Sequence, residues 1–223
     1  MADERLKGIA CREVVGGAIR RYVDDLARLR LAVFAEWPYL YDGDEAEELA
    51  YLSAIASSNE ALVVLAIDEA ADGRVVGAST AMPLADEHAE FRAPFEQAGI
   101  GVGSVFYLAE SVLLPEYRGR GVGRVFFDRR EGHGRRLDER RRAAGGAGFS
   151  WFAFCGVDRP ADDPRRPAGH RELDAWWRSM GYRRRDDLVA RLGWTEIGQA
   201  EATEKPLTFW LKPMQGLAGP GVQ

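Results

Sequence analysis

Apolar positions recur along the chain at two spacings, which predict helices and strands in alternation. A short apolar run at 11–15 indicates a first strand. Between 18 and 34 the apolar residues return every three or four positions, which is the spacing of one helix face. A proline and an Asp-Gly pair then interrupt the pattern, and a second helix is predicted over 45–56 with Asp44 as its N-cap.

The middle of the chain is predicted to contain three strands. Apolar runs at 61–67 and 74–82 surround an Ala-Asp-Gly turn, which indicates a hairpin. A polar stretch at 86–97 has a helical pattern. A longer apolar strand is predicted over 104–114, and a helix over 122–142 follows it.

The last third completes one mixed α/β domain, predicted over 1–213. Its Gly- and Pro-bearing tail at 214–223 is expected to be disordered. The remaining predicted elements are a strand, a charged loop, a helix and two strands, at 149–157, 158–169, 171–180, 188–194 and 207–212.

Composition limits the class of protein but does not indicate a reaction. A chain of 223 residues with 46% hydrophobic and 29% charged residues suits a globular domain with a sizeable core. No apolar run reaches the length of a membrane span, and the N-terminus lacks the apolar region of a signal peptide. Cys11 and Cys155 show neither metal-ligand nor redox spacing. We therefore expect a reduced, cytoplasmic protein without a metal site or membrane partner.

Positive charge is concentrated in one helix. Lysine occurs only at 7, 205 and 212 among 30 basic residues, and arginines cluster at 129–142. The net charge of −5 argues against a nucleic-acid partner. Acidic residues are interspersed in the cluster, so a solvated helix face is the favoured interpretation. A patch for nucleic acid or for a cofactor phosphate is the alternative.

The stretch from 107 to 124 carries the clearest chemical signal. An apolar strand leads into a glycine-rich turn, and a helical pattern begins at once. Glycines let a ligand approach the backbone closely, and amides at a helix N-terminus favour negative charge. This predicts a phosphate or pyrophosphate site. A Walker loop is excluded because the chain has no Gly-Lys-Ser/Thr tripeptide. A dinucleotide-binding fold is disfavoured because the next strand does not end in the acidic residue that such a fold requires. The turn reads Arg118-Gly119-Arg120-Gly121-Val122-Gly123.

This turn resembles the acetyl-CoA-binding motif of the GCN5-related N-acetyltransferase (GNAT) superfamily, Arg/Gln-x-x-Gly-x-Gly/Ala. The preceding Val112-Leu113-Leu114-Pro115 is similar to the family's apolar-x-x-Pro segment. Trp176-Trp177-Arg178-Ser179-Met180-Gly181-Tyr182 resembles its later Phe-Tyr-Glu-Lys-Leu-Gly-Phe segment. The predicted order of elements matches over essentially the whole chain, and Trp37-Pro38-Tyr39-Leu40-Tyr41-Asp42-Gly43 resembles a segment of uncharacterised bacterial members. The resemblance implies a mixed central sheet, flanked by helices and splayed at the acetyl-CoA-binding strand.

The resemblance also implies that acetyl-CoA is the co-substrate. Its pantetheine arm is expected to pair with Val112 and Leu113, and a strand amide near Leu113 to face the thioester oxygen. Its pyrophosphate is expected at the turn. The implied turn positions are Arg118, Gly119, Arg120, Gly121, Val122, Gly123 and Arg124.

Glu110 is the candidate general base, because many members of the family carry a glutamate on this strand. Its apolar neighbours predict desolvation and a raised pKa, whereas a salt-bridged or exposed glutamate is the alternative. The tyrosine that protonates the thiolate in many relatives is replaced by Trp177. The general acid is therefore open: Tyr41 is the candidate, Tyr39 or unassisted departure into water are alternatives, and Cys155 and His170 are weaker.

The acceptor site is implied to border the loop at 36–43. Trp37, Tyr39 and Asp42 are its candidate residues, since aromatic rings with a carboxylate suit a cationic amine. The alternative is that the aromatic residues only fasten the helix to the sheet. The loop at 156–169 is a candidate lid.

These features together predict an acetyl-CoA-dependent N-acetyltransferase that transfers the acetyl group directly to a primary amine. A small-molecule acceptor is favoured over a protein. A non-catalytic acyl-CoA-binding module is the alternative, and a scaffold that binds nucleic acid through the arginine helix is a third hypothesis. Relatives are often dimers, so a homodimer is expected.

Overall fold

The computed structural model describes residue 6 and residues 8–214 of the chain. The strands in this part are β1 (Ile9–Val15), β2 (Leu62–Asp68), β3 (Arg74–Pro83), β4 (Val105–Tyr107), β5 (Ser111–Leu113), β6 (Trp151–Val157), β7 (Arg183–Thr195) and β8 (Ala202–Pro213). The α-helices are α1 (Val23–Phe34), α2 (Glu45–Ile55), α3 (Ala89–Gln97), α4 (Val122–Ala143) and α5 (Asp174–Ser179).

All eight strands belong to one mixed sheet. Its order is β1-β2-β3-β4-β6-β8-β7, and β5 lies beside β3 off this path. β4 and β6 are parallel, while the other pairs are antiparallel. The predicted fold class, a mixed α/β sheet flanked by helices, is confirmed.

The strand predicted over 104–114 is divided in two, and this division is the main difference from the sequence prediction. β4 pairs with β6, whereas β5 pairs only with β3 among the described strands. At the break, the carbonyl of Glu110 accepts three hydrogen bonds. They come from the Thr80 amide (3.0 Å), the Ser79 hydroxyl (2.8 Å) and Arg130 Nη1 (3.2 Å). These donors hold Glu110 on the β3 side, while the pairing of β4 with β6 ends at Tyr107 and Ala153, so the sheet splays between β5 and the end of β6.

The first two helices form where the sequence predicts, with one change at the start. The segment predicted as helix over 18–34 begins as a 3₁₀ helix, Gly16–Tyr22, before α1. Asp44 caps α2 as predicted: its carboxylate accepts hydrogen bonds from the amides of Ala46 (2.9 Å) and Glu47 (3.1 Å). Both helices pack on the half of the sheet that contains β1 to β3.

Helix α4 packs against the sheet at a glycine. A Cβ atom at Gly134 would lie 2.6 Å from Phe106 Cδ1 and 2.8 Å from Phe152 Cε1. The second glycine of the Gly-His-Gly sequence inside this helix therefore allows close packing against β4 and β6. On the outer face, arginines pair with acidic residues of other elements: Arg129 and Arg136 with Glu13, and Arg141 with Glu60.

The end of the described chain is ordered by packing. Met214 is buried in the core cluster that contains Phe149 and Trp210, and its amide binds the Ser150 carbonyl at 2.9 Å. Met214 is the first residue of the predicted tail, and the rest of that tail, 215–223, lies outside the described residues. None of the described helices is both long enough and apolar enough to cross a lipid bilayer.

Candidate functional site

The glycine-rich turn opens the N-terminus of α4. Gly119 and Gly121 have φ values of +74° and +88°, in the left-handed region that favours glycine. A Cβ atom at either position would meet nothing within 4 Å, so this side of the turn is open. Gly121 is the N-cap and has no side chain to accept the first amides of the 22-residue helix. The turn thus has the geometry of an anion site.

The arginines of the turn hold it in shape. Arg118 donates to the Leu113 carbonyl (3.1 Å) and pairs with Glu36 (2.8 Å). Arg120 donates to the Glu116 carbonyl at 2.8 Å. These contacts brace the turn, and its backbone amides can meet an anion on the open side.

The two remaining residues of the turn and the arginine after it differ in their surroundings. Val122 is buried, and a Cβ atom at Gly123 would lie 3.4 Å from the ring of Trp176. Arg124 is exposed and pairs with Asp128 at 2.9 Å. A bulky residue at Gly123 would therefore collide with α5, while Arg124 lies at the surface.

The splay of the sheet lies directly before this turn. Val112 is buried and Leu113 is half-buried on β5, where they pair with Ala78 and Gly77 of β3. The other edge of β5 faces the gap. Both residues predicted to pair with pantetheine are thus on the strand that borders the gap.

A cavity of about 280 Å³ lies on the other side of the strand break. Ala109 and Glu110 at the break form part of its wall, together with Cys155 of β6. Seven of the sixteen lining residues are aromatic. The aromatic residues are Phe34, Tyr39, Tyr41, Tyr51, Phe91, Tyr107 and Trp194.

Three charged side chains meet inside this cavity. Arg30 of α1 contacts the carboxylates of Glu48 and Glu110. The side chains of Arg30 and Glu110 are 12% and 11% exposed, and that of Glu48 is 3% exposed. Burial acts to lower the pKa of Arg30, but Tyr51 and Glu48 outweigh it and raise the pKa, so Arg30 is charged.

The sequence interpretation missed Arg30 and Glu48, although a signal was present. Arg30 follows Leu26 by four positions on α1 and so falls on the apolar stripe that packs inward. Glu48 has the same property one turn before Leu52 on α2. A charged residue on a buried helix face needs a partner of opposite charge, and here Arg30 and Glu48 are partners of each other.

Glu110 combines the partial burial expected of a base with the salt bridge considered as the alternative. It is partly buried at the cavity wall, and it is also salt-bridged, with its Oε2 atom in contact with Arg30. Its backbone is fixed by the three hydrogen bonds at the strand break. Its role as a base stays a prediction, and Oε1 is the oxygen that Arg30 does not contact.

Tyr41 and Cys155 both line the cavity in their protonated forms. Burial, with Glu48, raises the pKa of Tyr41 to about 12. Burial raises the pKa of Cys155 to about 12, and its sulfur lies 3.2 Å from the Tyr107 hydroxyl. A thiol with that pKa is a poor nucleophile near neutral pH, which argues against a covalent acetyl-cysteine route.

The candidate acceptor residues are separated by the structure. Tyr39 lies in the cavity wall, packed against Phe34 and Trp194. Trp37 lies outside the cavity beside His170, with ring centroids 6.1 Å apart. Asp42 is exposed, and its amide binds the Thr195 carbonyl at 2.9 Å. The structure brings only Tyr39 of these three into the cavity.

Trp177, which the resemblance aligns with a tyrosine of relatives, is a packing residue. Its ring lies 4.9 Å from Phe154 and 5.2 Å from Trp210, centroid to centroid. It also covers Gly156, where a Cβ atom would lie 3.2 Å from the indole. Tyr182 is buried and donates to Glu131 at 2.9 Å.

The candidate lid is fastened to the cavity wall. Arg159 donates to the carbonyls of Pro38 (2.7 Å) and Tyr39 (3.0 Å) and pairs with the buried Glu196 (2.7 Å). The indole nitrogen of Trp194 donates to the same Tyr39 carbonyl at 2.9 Å. The loops after α1 and β6 and the end of β7 are thus joined around the cavity mouth.

Comparison with known proteins shows similarity in structure. No protein-family model and no curated protein matches the sequence. The structure is similar to a GCN5-related N-acetyltransferase from Kribbella flavida, with a TM-score of 0.51, 17% identity and coverage of 93% of this chain and 98% of that one.

Two further solved structures are similar over their whole length. One is a putative acetyltransferase from Salmonella typhimurium, solved with its cofactor acetyl-CoA (TM-score 0.50, 15% identity, 97% of this chain and 99% of that one). The other is the loading GNAT-like domain of CurA from Lyngbya majuscula (TM-score 0.51, 13% identity, 93% and 98%). At these identities the similarity establishes the fold.

Proposed function

We propose that this chain, which has the fold of the GCN5-related N-acetyltransferases, is an acetyl-CoA-dependent N-acetyltransferase. It transfers the acetyl group directly to a primary amine of a small molecule. The observation that best supports this proposal is the strand break at 108–110. A free backbone edge and a turn with the geometry of an anion site follow the break, and a cavity with aromatic rings and carboxylates lies beside it.

The cofactor is recognised mainly by backbone groups of the chain and by the shape of the gap in the sheet. The amides of the turn at Gly119 to Gly123 receive the pyrophosphate at the positive end of α4. Val112 and Leu113 offer the edge of β5 to the pantetheine amides. Few side chains are needed for this, so the site depends on the glycines and on the splay.

Glu110 removes a proton from the acceptor ammonium, either directly or through water. The neutral amine then attacks the thioester carbonyl, the C–S bond breaks, and the CoA thiolate departs. Backbone amides near Leu113 stabilise the oxyanion that forms on the carbonyl oxygen. Tyr41, which is protonated at neutral pH, is the residue we assign to protonating the thiolate; its hydroxyl belongs to the same cavity.

The acceptor enters the aromatic cavity, which is slightly smaller than a typical site for a drug-sized ligand. This supports a small amine over a folded protein. A non-catalytic acyl-CoA-binding module remains the second candidate, and the observation in its favour is that Trp177 packs in the core where relatives place a tyrosine.

The test measures CoA thiol release from acetyl-CoA against a panel of amines, for the wild type and for Glu110→Gln. We expect release with one acceptor class and a loss of about 10²-fold or more in the variant, because general-base catalysis contributes that much. Acetyl-CoA affinity, measured by calorimetry, should be unchanged. Binding without turnover across the panel would favour the binding module. A cytoplasmic location and a homodimer stay predictions.

A further inference from the structure

The centre of the acceptor cavity already contains a cation that belongs to the protein. The Arg30 guanidinium lies between Glu48 and Glu110, with its Nη2 atom 3.4 Å from Glu48 Oε1 in addition to closer contacts with both residues. The ring of Tyr51 lies below it, 4.4 Å from Cζ to the ring centroid. This is the set of partners that would otherwise recognise a bound ammonium.

The buried charges of the cavity do not balance. Arg30 carries one positive charge, and Glu48 and Glu110 carry two negative charges, all on side chains that are at most 12% exposed. The fourth charged lining residue, Glu47, is exposed, so solvent and salt screen it. The buried group therefore has one negative charge in excess, which one ammonium would neutralise.

The rest of the lining has no further buried carboxylate that could pair with a second positive charge. It is formed mainly by aromatic rings, together with Ala109, Leu192 and Leu207. A second ammonium would lose its hydration there, and the exposed carboxylate of Glu47 would return little of that cost. A carboxylate on the acceptor would meet the negative charge of Glu48 and Glu110.

On the premise of the proposed function, we propose that the acceptor is a monocationic primary amine with an aromatic or other apolar body. Arg30 is the residue that sets this preference, because it neutralises one of the two buried carboxylates. Removing Arg30 creates a cavity with two negative charges in excess, which suits a dication. Replacing Glu48 by glutamine removes the excess.

The experiment compares two probes that share one body. The first is 2-phenylethylamine, and the second is its analogue with an aminomethyl group at the para position of the ring. We measure kcat/KM for both with the wild type, Arg30→Met, Glu48→Gln and the surface control Arg21→Met. Thermal unfolding and acetyl-CoA binding are measured for every variant, and L-phenylalanine tests exclusion of a carboxylate.

We expect the wild type and the control to prefer the monoamine by at least about tenfold, which corresponds to about 1.4 kcal/mol. Arg30→Met should move the ratio of the two kcat/KM values toward the diamine by at least about tenfold. Glu48→Gln should raise KM for the monoamine and should not move the ratio toward the diamine. L-Phenylalanine should be a poorer acceptor than 2-phenylethylamine.

The proposal is overturned if the wild type prefers the diamine or L-phenylalanine, or if folded Arg30→Met keeps the wild-type ratio. Should Arg30→Met fail to fold, Glu48→Gln decides: an unchanged KM for the monoamine overturns the proposal. Turnover of other amines without turnover of either probe also overturns it, but leaves the proposed function standing. Acetyl-CoA binding with no turnover of any amine contradicts the proposed function itself.

Discussion

Arg159 donates a hydrogen bond from Nη2 to the backbone carbonyl of Tyr39 at 3.0 Å. This contact joins two loops that are 120 residues apart in sequence, and it fixes the backbone that carries one aromatic wall of the cavity. The same guanidinium pairs with Glu196, whose backbone bridges to Tyr41. Arg159 therefore fixes the cavity wall together with Trp194, whose indole nitrogen donates to the same Tyr39 carbonyl.

Arg159→Gln is expected to raise KM for the amine more than it lowers kcat, because it loosens the wall and leaves the reacting groups in place. Loss of the hydrogen bonds to the Pro38 and Tyr39 carbonyls should also reduce the free energy of unfolding by about 1–3 kcal/mol, while Arg165 and Lys205 still pair with Glu196. Steady-state kinetics and urea unfolding measure both effects. Arg166→Gln is the control, since its partner Glu172 is 60% exposed, and it should cost less than about 1 kcal/mol. Equal losses in the two variants would contradict the assigned role of Arg159.

Gly121→Ala is expected to weaken acetyl-CoA binding. Alanine is strained at a φ of +88°, at a cost of about 1 kcal/mol, and its Cβ extends into the open side of the turn. Gly145→Ala is the matched control, because Gly145 has a φ of +79°, has equal space around it and lies at the other end of α4. Both variants should lose similar stability, and only Gly121→Ala should lose affinity in a calorimetric titration. A similar loss of affinity in Gly145→Ala would show that backbone strain alone explains the effect.

The two glycines inside α4 should respond in opposite directions to alanine. Gly134→Ala places a methyl group against Phe106 and Phe152 and should destabilise the protein by about 1–3 kcal/mol. At Gly132 the nearest atom to a Cβ is the flexible end of Arg136, at 3.5 Å. Gly132→Ala should therefore stabilise by up to about 1 kcal/mol through helix propensity. Denaturant unfolding of both variants tests this, and a stabilised Gly134→Ala would refute close packing as the reason for that glycine.

His133 is expected to make the protein less stable in mild acid. It is 3% exposed, and burial lowers its pKa below the ordinary 6.5, while its Nε2 atom lies 2.9 Å from the Glu60 carbonyl. Between the lowered pKa and 6.5 the unfolded chain binds more protons, so stability rises with pH and is lost as pH falls below 6.5. Unfolding free energies at about pH 7.5 and about pH 5.5 should differ more for the wild type than for His133→Asn. Equal differences would exclude this histidine as the cause.

The strand break could not be predicted from residues 104–114, because the polar pair at 110–111 is also compatible with a continuous strand. Its cause lies elsewhere in the chain: Ser79 and Thr80 on β3 and Arg130 on α4 together bind the Glu110 carbonyl. Local patterns contain no information on such a contact until the strands are placed. The glycine-rich turn and the Asp44 cap were predictable, because their geometry depends on a few neighbouring residues.

Only part of the cavity lining could be predicted from local sequence patterns. Tyr39 and Tyr41 were predicted from one aromatic loop, whereas Tyr51, Tyr107 and Trp194 come from three separate elements. Each of the latter has an ordinary helical or strand pattern around it. Their convergence depends on the packing of α2 against the sheet and on the position of β7 at the edge of the sheet, which a single sequence does not specify.

The short length of β5 has a consequence for the protein's solubility. A sheet edge that a ligand can pair with is also an edge that another protein molecule can pair with, which is a common route to aggregation. β5 has only three residues, Ser111–Leu113, and the carbonyl of Leu113 is already bound by Arg118. Such an edge offers too few free backbone groups to add a stable intermolecular strand. The same three residues can therefore face a gap in the sheet without making the protein prone to self-association.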